Sequence, residues 1–358
     1  MFNCDPSGLP PQQSHGGVAS PAFPRGGSRQ YSPGSGFFPG PIPPHIGTGE
    51  PRQSGHTSNA PCPRTGATRK ARAMEYTRAD TRAARAPAVS RLQRVDGRAL
   101  IAFGEAGLRD LEQVAPARVL FPTAAAGDFA LAVTVTTAGG LTGGDRLALE
   151  IVVDPGASVT VVPQAAEKIY RTLPDDPPTK IETRISVGSG ARCEWVSHEA
   201  ILFDGSRMRR SLEIDLAADA RILAMEMLVF GRGAMGETFT RGLIRDSWRI
   251  RRDGRLVWVD ALHIDGDVIG VAEAPFGFEG ARAILTMVHA APDAETHLAL
   301  ARELAGEHGG ATAFDNLLIM RMAGGDPQVI REAGLRAAEA LRAAAFGLRP
   351  TLPSICYC

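Results

Sequence analysis

The chain has 358 residues, which fits about two average domains or one larger all-β domain. Its 39 basic residues balance 39 acidic ones, and no clustered basic stripe of the kind that binds duplex nucleic acid is present. No segment approaches the ~18 unbroken apolar residues of a membrane helix, and the first residues lack the apolar core of a signal peptide. Composition therefore predicts a cytoplasmic protein that binds neither nucleic acid nor membrane.

The first 73 residues differ in composition from the rest of the chain. They hold 13 Pro, 12 Gly and 8 Ser, with seven basic residues against two acidic ones. Such a segment buries too little apolar surface to offset the entropy of ordering. We therefore predict a disordered leader over 1–73 and a folded β domain over 74–358. The leader is either a linker or regulatory arm, or upstream sequence translated from a misplaced start before Met74.

Five cysteines are too unevenly placed to staple a domain. Cys4 and Cys62 lie in the leader, Cys193 stands alone in mid-chain, and Cys356 and Cys358 lie at the end. This arrangement predicts free thiols and a reducing compartment.

From about residue 90 the sequence has the pattern of successive strands. Apolar and polar residues alternate over 147–153, 180–187 and 211–216. Each of these runs is followed by a turn sequence and then by a second apolar run. We therefore expect paired strands, one pair for each turn.

The clearest hairpin lies later in the chain, where Trp248–Arg252 and Arg255–Asp260 flank Asp253-Gly254. An Asp-Gly pair supplies the positive φ angles of a type I′ turn, which matches the twist of antiparallel strands. The sequence therefore predicts two adjacent antiparallel strands here.

The turns recur at a regular spacing. Gly156, Gly190, Asp219 and Gly254 are separated by 34, 29 and 35 residues. A period near 30 with one hairpin-like unit per turn predicts a β-solenoid, or β-helical, architecture of stacked hairpin units. The alternative is an ordinary β-sandwich whose hairpins are evenly spaced.

The last part of the chain changes its period. Residues 293–305 and 328–346 place apolar side chains at helical spacing, and Asp326-Pro327 is a favourable helix start. Leu317–Met322 has the pattern of a short buried strand. The prediction is a mainly β fold with two late helices.

The motif content excludes several common enzyme classes. Gly231–Gly236 has formal G-x-G-x-x-G spacing after the apolar run 223–230, but residues 237–242 have the pattern of another strand. A dinucleotide site needs a helix at that point. No P-loop, nucleophile elbow, H-E-x-x-H or protein-kinase signature is present. The missing motifs argue against these enzyme classes and against a tightly bound dinucleotide cofactor.

Several charged residues interrupt apolar strands. Glu167-Lys168, Glu199 and Glu226 each lie within or beside an apolar run, where an unpaired charge is costly to bury. One interpretation is a set of salt bridges, such as Lys168 with one of the glutamates. The other is a polar cavity through the β core, lined by carboxylates that attract a cation.

Five blocks of sequence together carry a resemblance to a known family. The blocks are 139–147 (GGLTGGDRL), 164–171 (QAAEKIYR), 195–203 (WVSHEAILF), 231–237 (GRGAMGE) and 248–256 (WRIRRDGRL). In this order and spacing, across roughly Arg98 to Leu348, they resemble the urease accessory proteins called UreD or UreH.

The resemblance implies a non-enzymatic maturation factor with a β-helical fold and late helices. It implies a scaffold for a UreF-like protein and a UreG-like GTPase on urease apoprotein, with nickel in transit through an internal tunnel. It also implies tunnel or interface positions for the family-motif residues, which are Asp145, Gln164, Lys168, Tyr170, Arg171, Gly231, Arg232 and Gly236.

Three glutamates are the predicted nickel stations. Glu199, Glu226 and Glu237 lie at or just beyond strands in equivalent places of successive units, so we expect stacking to bring them towards one axis. Carboxylate oxygens there would bind nickel weakly enough to release it. The alternative is that each glutamate pairs with Arg171, Arg232 or a similar cation and only holds the fold. A second class of function also remains open, an uncharacterised β-solenoid enzyme that uses clustered carboxylates.

Overall fold

A computed structural model describes residues 93–274 and 277–358. The leader predicted over 1–73 lies outside the described residues. Within them, no helix combines the length and the apolar character needed to cross a membrane.

The described residues form sixteen strands. In chain order these are β1 (Asp96–Gly104), β2 (Gly107–Val114), β3 (Ala117–Leu120), β4 (Ala130–Thr136), β5 (Arg146–Val153), β6 (Ser158–Pro163), β7 (Glu167–Ile169), β8 (Thr179–Val187), β9 (Arg192–Leu202), β10 (Arg207–Leu216), β11 (Arg221–Phe230), β12 (Arg241–Arg252), β13 (Arg255–Asp267), β14 (Ala283–Ala290), β15 (Gly309–Phe314) and β16 (Leu317–Gly324). The helices are α1 (Val268–Glu273), α2 (Leu298–Ala305) and α3 (Pro327–Phe346), and 3-10 turns cover Gly233–Met235, Ala294–His297, Gly306–His308 and Ser354–Tyr357.

The strands make two sheets. The first has the order β13-β12-β10-β8-β5-β1-β2, and the second has the order β15-β16-β14-β11-β9-β6-β4-β3, with β7 paired to β9 beside it. Apart from the short β7, successive strands from β5 to β12 alternate between the two sheets. Within each sheet these strands pair in parallel with the strand from the preceding unit.

The prediction of hairpins is wrong at three of the four repeated turns. The strands on either side of Gly156, Gly190 and Asp219 enter opposite sheets and do not pair with each other. Both strands of such a unit carry apolar side chains that meet in the space between the sheets, so the chain turns a corner instead of folding back. The turn at Asp253-Gly254 does close an antiparallel hairpin between β12 and β13, with φ angles of +48° and +74°.

The mainly β fold is confirmed, whereas the solenoid interpretation is not. The parallel, alternating middle has the connectivity expected of stacked units. Both ends are antiparallel, as in a sandwich: β1 pairs with β2, β3 with β4, and β11, β14, β16 and β15 follow one another. The two sheets face each other and do not close into a barrel.

The two late helices are confirmed with shifted starts. α2 begins at Leu298, because a 3-10 turn occupies the four residues before it. α3 begins at Pro327, and the Asp326 side chain accepts a hydrogen bond from the backbone N–H of Gln328 at 2.9 Å. The strand expected over 237–242 begins only at Arg241, and α1 had no predicted counterpart.

Three apolar clusters define the layers. Two of them fill the space between the sheets, one around Ile151, Val159 and Trp248 and the other around Leu202 and Met208. The third lies between the second sheet and helices α2 and α3. The described residues therefore form three layers, and a polar cavity lies at the boundary between the two sheets.

Candidate functional site

A cavity of about 330 Å³ opens between the two sheets. Strands β5, β8 and β10 of the first sheet and β4, β6, β9 and β11 of the second supply its walls, together with the segment 164–168. Its polar lining residues are Arg118, Thr134, Thr136, Gln164, Glu167, Lys168, Glu182, Thr183, Ser197, His198, Arg210 and Glu226. Gln164, Lys168 and Glu226 are among the residues named from the sequence.

A buried ion cluster forms part of the cavity wall. Arg210 donates from Nε and Nη2 to the two carboxylate oxygens of Asp246, each at 2.8 Å. The same Nη2 lies 3.4 Å from Oε2 of Glu226, and Trp195 donates from Nε1 to Glu226 Oε1 at 3.3 Å. Within this cluster, one guanidinium therefore faces two carboxylates.

The Glu226 carboxyl has fewer hydrogen bonds than the Asp246 carboxyl. Its Oε2 has the ion-pair contact with Arg210 but no hydrogen-bond partner. Burial raises the pKa of Glu226 to about 7, against the opposing effect of the Arg210 charge. This carboxyl is therefore near its protonation midpoint at neutral pH, and its Oε2 has a free lone pair at the cavity wall.

A second carboxyl with the same property lies in the wall formed by β7. Thr136 donates from Oγ1 to Glu167 Oε2 at 2.9 Å. Burial raises the pKa of Glu167 to about 7, and this hydrogen bond opposes the rise. The sequence pattern singled out Glu167 as an interruption of an apolar run, and the structure places it on the cavity with Glu226.

The three predicted nickel stations do not lie together. Glu226 faces the cavity, whereas Glu199 lies on the helix side of the second sheet, 3.4 Å from Arg331 Nε of α3. Glu237 follows the 3-10 turn after β11 and accepts a hydrogen bond from Arg232 Nε at 2.6 Å. The expected common axis is therefore not found, and each glutamate has the cationic neighbour of the alternative interpretation. A role of the three in binding nickel stays a prediction.

Tyr170 and Arg232 meet at one edge of the molecule through Phe203. The Tyr170 ring contacts the Phe203 ring edge-on at 4.8 Å, and the Arg232 guanidinium lies 4.1 Å from the centre of that ring. Tyr170 also donates from its hydroxyl to the Gly139 carbonyl at 2.7 Å. Two of the family-motif residues thus form one surface cluster with the loop that carries a third motif block.

Asp145 and Arg171 each contact a neighbouring loop or turn, whereas Gln164 and Lys168 line the cavity. Asp145 accepts hydrogen bonds from the backbone N–H groups of Val95 and Thr142, each at 2.8 Å. Arg171 lies 3.4 Å from the Asp204 carboxylate.

Gly231 and Gly236 bracket the 3-10 turn after β11, with φ angles of +83° and +71°. A Cβ at Gly231 would lie 2.6 Å from the Glu237 carbonyl oxygen. A side chain is therefore excluded at that position. The formal G-x-G-x-x-G motif builds a tight turn here, and β12 follows it.

The sequence analysis missed Arg210 and Asp246. Both occupy inward positions of strands that otherwise alternate apolar residues inward, beside Met208 and Leu212 in β10 and beside Ile244 in β12. They are also direct partners in the parallel pairing of the two strands. The sequence does carry a signal for this pair, since an arginine and an aspartate occupy inward positions of two strands that lie in successive units of the repeat.

Comparison with known proteins gives a consistent result. The family model of the UreD urease accessory protein matches residues 95–357. A "Urease accessory protein UreD" of Methylobacterium sp. strain 4-46 is 40% identical over 269 residues, which cover 72% of this chain and 94% of the relative. A protein of the same name from Rhizobium rhizogenes strain K84 is 40% identical over 262 residues, covering 72% and 95%. "Urease accessory protein UreD 1" of Methylobacterium radiotolerans is 41% identical over 245 residues, covering 65% and 83%. The chain therefore belongs to the UreD family of urease accessory proteins, and it is a urease maturation factor, not a catalytic enzyme.

Proposed function

We propose that this chain acts in urease maturation as a scaffold and nickel conduit. In this role it joins a UreF-like protein and a UreG-like GTPase to urease apoprotein, in the cytoplasm. Nickel is the cargo and is not a resident cofactor. The observation that carries the proposal is the polar cavity between the sheets, with Glu226 and Glu167 in its walls.

The size of the cavity suits a hydrated cation. Its volume of about 330 Å³ compares with ~30 Å³ for one water in the liquid, so it can hold an ion with several waters. A bare cation in an apolar β core would pay a large desolvation cost. A water-filled passage with polar walls avoids that cost.

The chemistry of the two glutamates suits transit. Oxygen ligands bind nickel less tightly than thiolate or imidazole sets, so an ion held by them is released readily. With pKa values of about 7, both carboxyls change protonation near neutral pH, and an arriving cation displaces the proton. Arg210 neutralises Asp246, which leaves Glu226 with the charge that attracts the ion.

The conduit that we propose uses Glu226 among the three glutamates named from the sequence. Glu199 and Glu237 are paired with Arg331 and Arg232 away from the cavity. Those ion pairs support a structural role for the two residues.

The surface near Arg232 is the proposed contact for the UreF-like protein. Met235, in the turn that follows Arg232, is 74% exposed. A large exposed apolar side chain beside an arginine and an aromatic cluster is typical of protein interfaces.

The test is a reconstitution from purified proteins. Urease apoprotein, the UreF-like protein, the UreG-like GTPase with GTP, and nickel are combined with or without this chain, and urease activity and nickel content are measured. We expect activation above the nickel-only background to require the chain. Equal activation without it would contradict the proposal.

A variant tests the contact surface. Met235→Asp should abolish capture of the UreF-like protein, whereas Val259→Asp on β13, where Val259 is 48% exposed, should not. Equal capture by both variants would remove this surface from the proposal.

A further inference from the structure

A second polar cluster lies on the other side of the second sheet. His289 is near the end of β14, and the chain then turns through Asp293 into the 3-10 turn that ends at His297. This path returns three side chains at a spacing of four residues to one place. Among residues 93–274 and 277–358, they are the one group of three metal-type ligands whose ligand atoms all lie within 4.8 Å of one another.

The two imidazoles each bury a nitrogen without a partner. His289 is 1% exposed, and Nε2 of both His289 and His297 has no hydrogen-bond partner. The ring centres lie 5.6 Å apart. Two unsatisfied nitrogens buried side by side are costly unless something binds them.

The surrounding groups orient the ligands as they do in metal sites. His289 Nδ1 lies 3.0 Å from the Ile222 carbonyl, which accepts its proton and leaves the Nε2 lone pair free. Arg221 donates from Nη1 to Asp293 Oδ1 at 2.6 Å and fixes that carboxylate. Metal-binding histidines usually donate their other N–H to a carbonyl or carboxylate, and metal-binding carboxylates are themselves hydrogen-bonded.

The cluster is open on one side. The Asp293 side chain is 42% exposed, so an ion can reach the two buried nitrogens past it. The ring of Phe346 in α3 contacts the ring of His289 edge-on, with the ring centres 5.7 Å apart. The cluster is separated from the cavity between the sheets by the second sheet itself, because His289 shares the helix-facing side of β14 with Leu285 and Met287.

The geometry points to a binding site for a borderline divalent transition-metal ion, Ni²⁺ or Zn²⁺, held by His289, His297 and Asp293, with a fourth position left for water. Two imidazoles and a carboxylate are a ligand set that such ions favour. Ligand atoms around a tetrahedral ion lie ~3.4 Å apart, so separations of at most 4.8 Å require only a small closing movement of the three groups. The site does not depend on the proposed conduit.

Metal binding by the full-length chain tests this inference. The protein is stripped with a chelator and dialysed against Ni²⁺ and, separately, Zn²⁺. We compare the wild type with His297→Gln and Asp293→Asn, which avoid the buried His289 and preserve side-chain size. His263→Gln, on the exposed face of β13, is the matched control.

The wild type and His263→Gln should bind one more equivalent than His297→Gln, and Asp293→Asn should bind that equivalent about 10- to 100-fold more weakly. Co²⁺ should give the visible absorption of a tetrahedral site in the wild type and lose it in His297→Gln. Because His297→Gln leaves every residue that lines the cavity unchanged, the equivalent that it loses belongs to this site and not to the cavity. Equal stoichiometry and affinity of the wild type and His297→Gln for both metals would overturn the inference.

Discussion

The second sheet buries a glutamate on each of its faces, and the two have opposite surroundings. Glu194, on the helix side, receives hydrogen bonds from Arg342 Nε at 2.9 Å and Nη2 at 3.1 Å, and from Thr160. Arg342 also donates to the backbone carbonyls of Arg349 and Thr351. Every polar atom of the Glu194 carboxylate is therefore satisfied.

Glu226, on the side facing the first sheet, shares one guanidinium with Asp246 and keeps an oxygen without a hydrogen bond. On the helix side the charges balance, because Arg342 and Arg349 face Glu194 and Asp128. In the cluster of Arg210, Asp246 and Glu226, one cation faces two anions. We infer that the Glu194–Arg342 cluster fixes α3 on the sheet. The cluster of Arg210, Asp246 and Glu226 instead leaves carboxylate charge available for a cation.

The largest effect on stability is expected from breaking the Glu194–Arg342 ion pair. Arg342→Ala leaves Glu194 as an uncompensated buried charge and should lower the free energy of unfolding by about 3–5 kcal/mol. Urea denaturation measures the change. Arg349→Ala, which removes a 53% exposed partner of Asp128, should cost less than about 1 kcal/mol. Similar losses for the two variants would contradict the structural role of the Glu194–Arg342 pair.

Substitutions of the carboxyls beside Arg210 should lower stability less, and Asp246 and Glu226 should differ in the size of the effect. Asp246→Asn weakens a two-pronged hydrogen bond to Arg210 and should cost about 2–3 kcal/mol. Glu226→Gln removes a charge that burial already disfavours, so its stability should stay within about 1 kcal/mol of the wild type. If Glu226→Gln proves as destabilising as Asp246→Asn, the interpretation that Glu226 leaves charge available for a cation is wrong.

The pH dependence of stability tests whether Glu167, the other carboxyl in the cavity wall, is buried without a compensating charge. Because the pKa of Glu167 is raised from 4.5 to about 7 in the folded state, the unfolded chain loses this proton first as the pH rises. Folding stability from this group therefore falls between about pH 4.5 and pH 7, by about 1–3 kcal/mol. Glu167→Gln should remove that part of the decline, as measured by denaturation at several pH values. The same slope in wild type and variant would show that the burial of Glu167 has no energetic consequence.

Much of the fold could be predicted from local sequence patterns. The alternating runs located β5 and β8 to within a residue and the last six residues of β10, and the apolar spacing located α3. Partner choice was not predictable in this way. A turn such as Asp154-Pro155-Gly156 is equally compatible with a hairpin and with a corner between sheets, and only the packing of both strands against one core decides between them.

The sequence indicated that buried carboxyls line a polar cavity, but it did not indicate which residues lie there. Interrupted apolar runs identified Glu226 and Glu167 as unusual, and the structure places both on the cavity. Glu199 was misplaced because β9 carries an irregularity opposite Met225–Met227, which changes the side that following residues face. Such a bulge has no clear signature in a single sequence. His289 and His297 were missed because their proximity depends on a turn between a strand and a helix.

The most direct test of the central claim is the nickel content of urease activated by matched glutamate variants. Glu226→Gln changes the cavity, and Glu237→Gln changes a surface ion pair with Arg232. Both variants are assembled with the UreF-like protein, the GTPase and urease apoprotein, and the complex yield and the nickel bound per urease are measured together. We expect equal complex yields, with a severalfold loss of nickel and activity only for Glu226→Gln. Full nickel loading with Glu226→Gln, or a loss that only follows loss of the complex, would contradict the conduit.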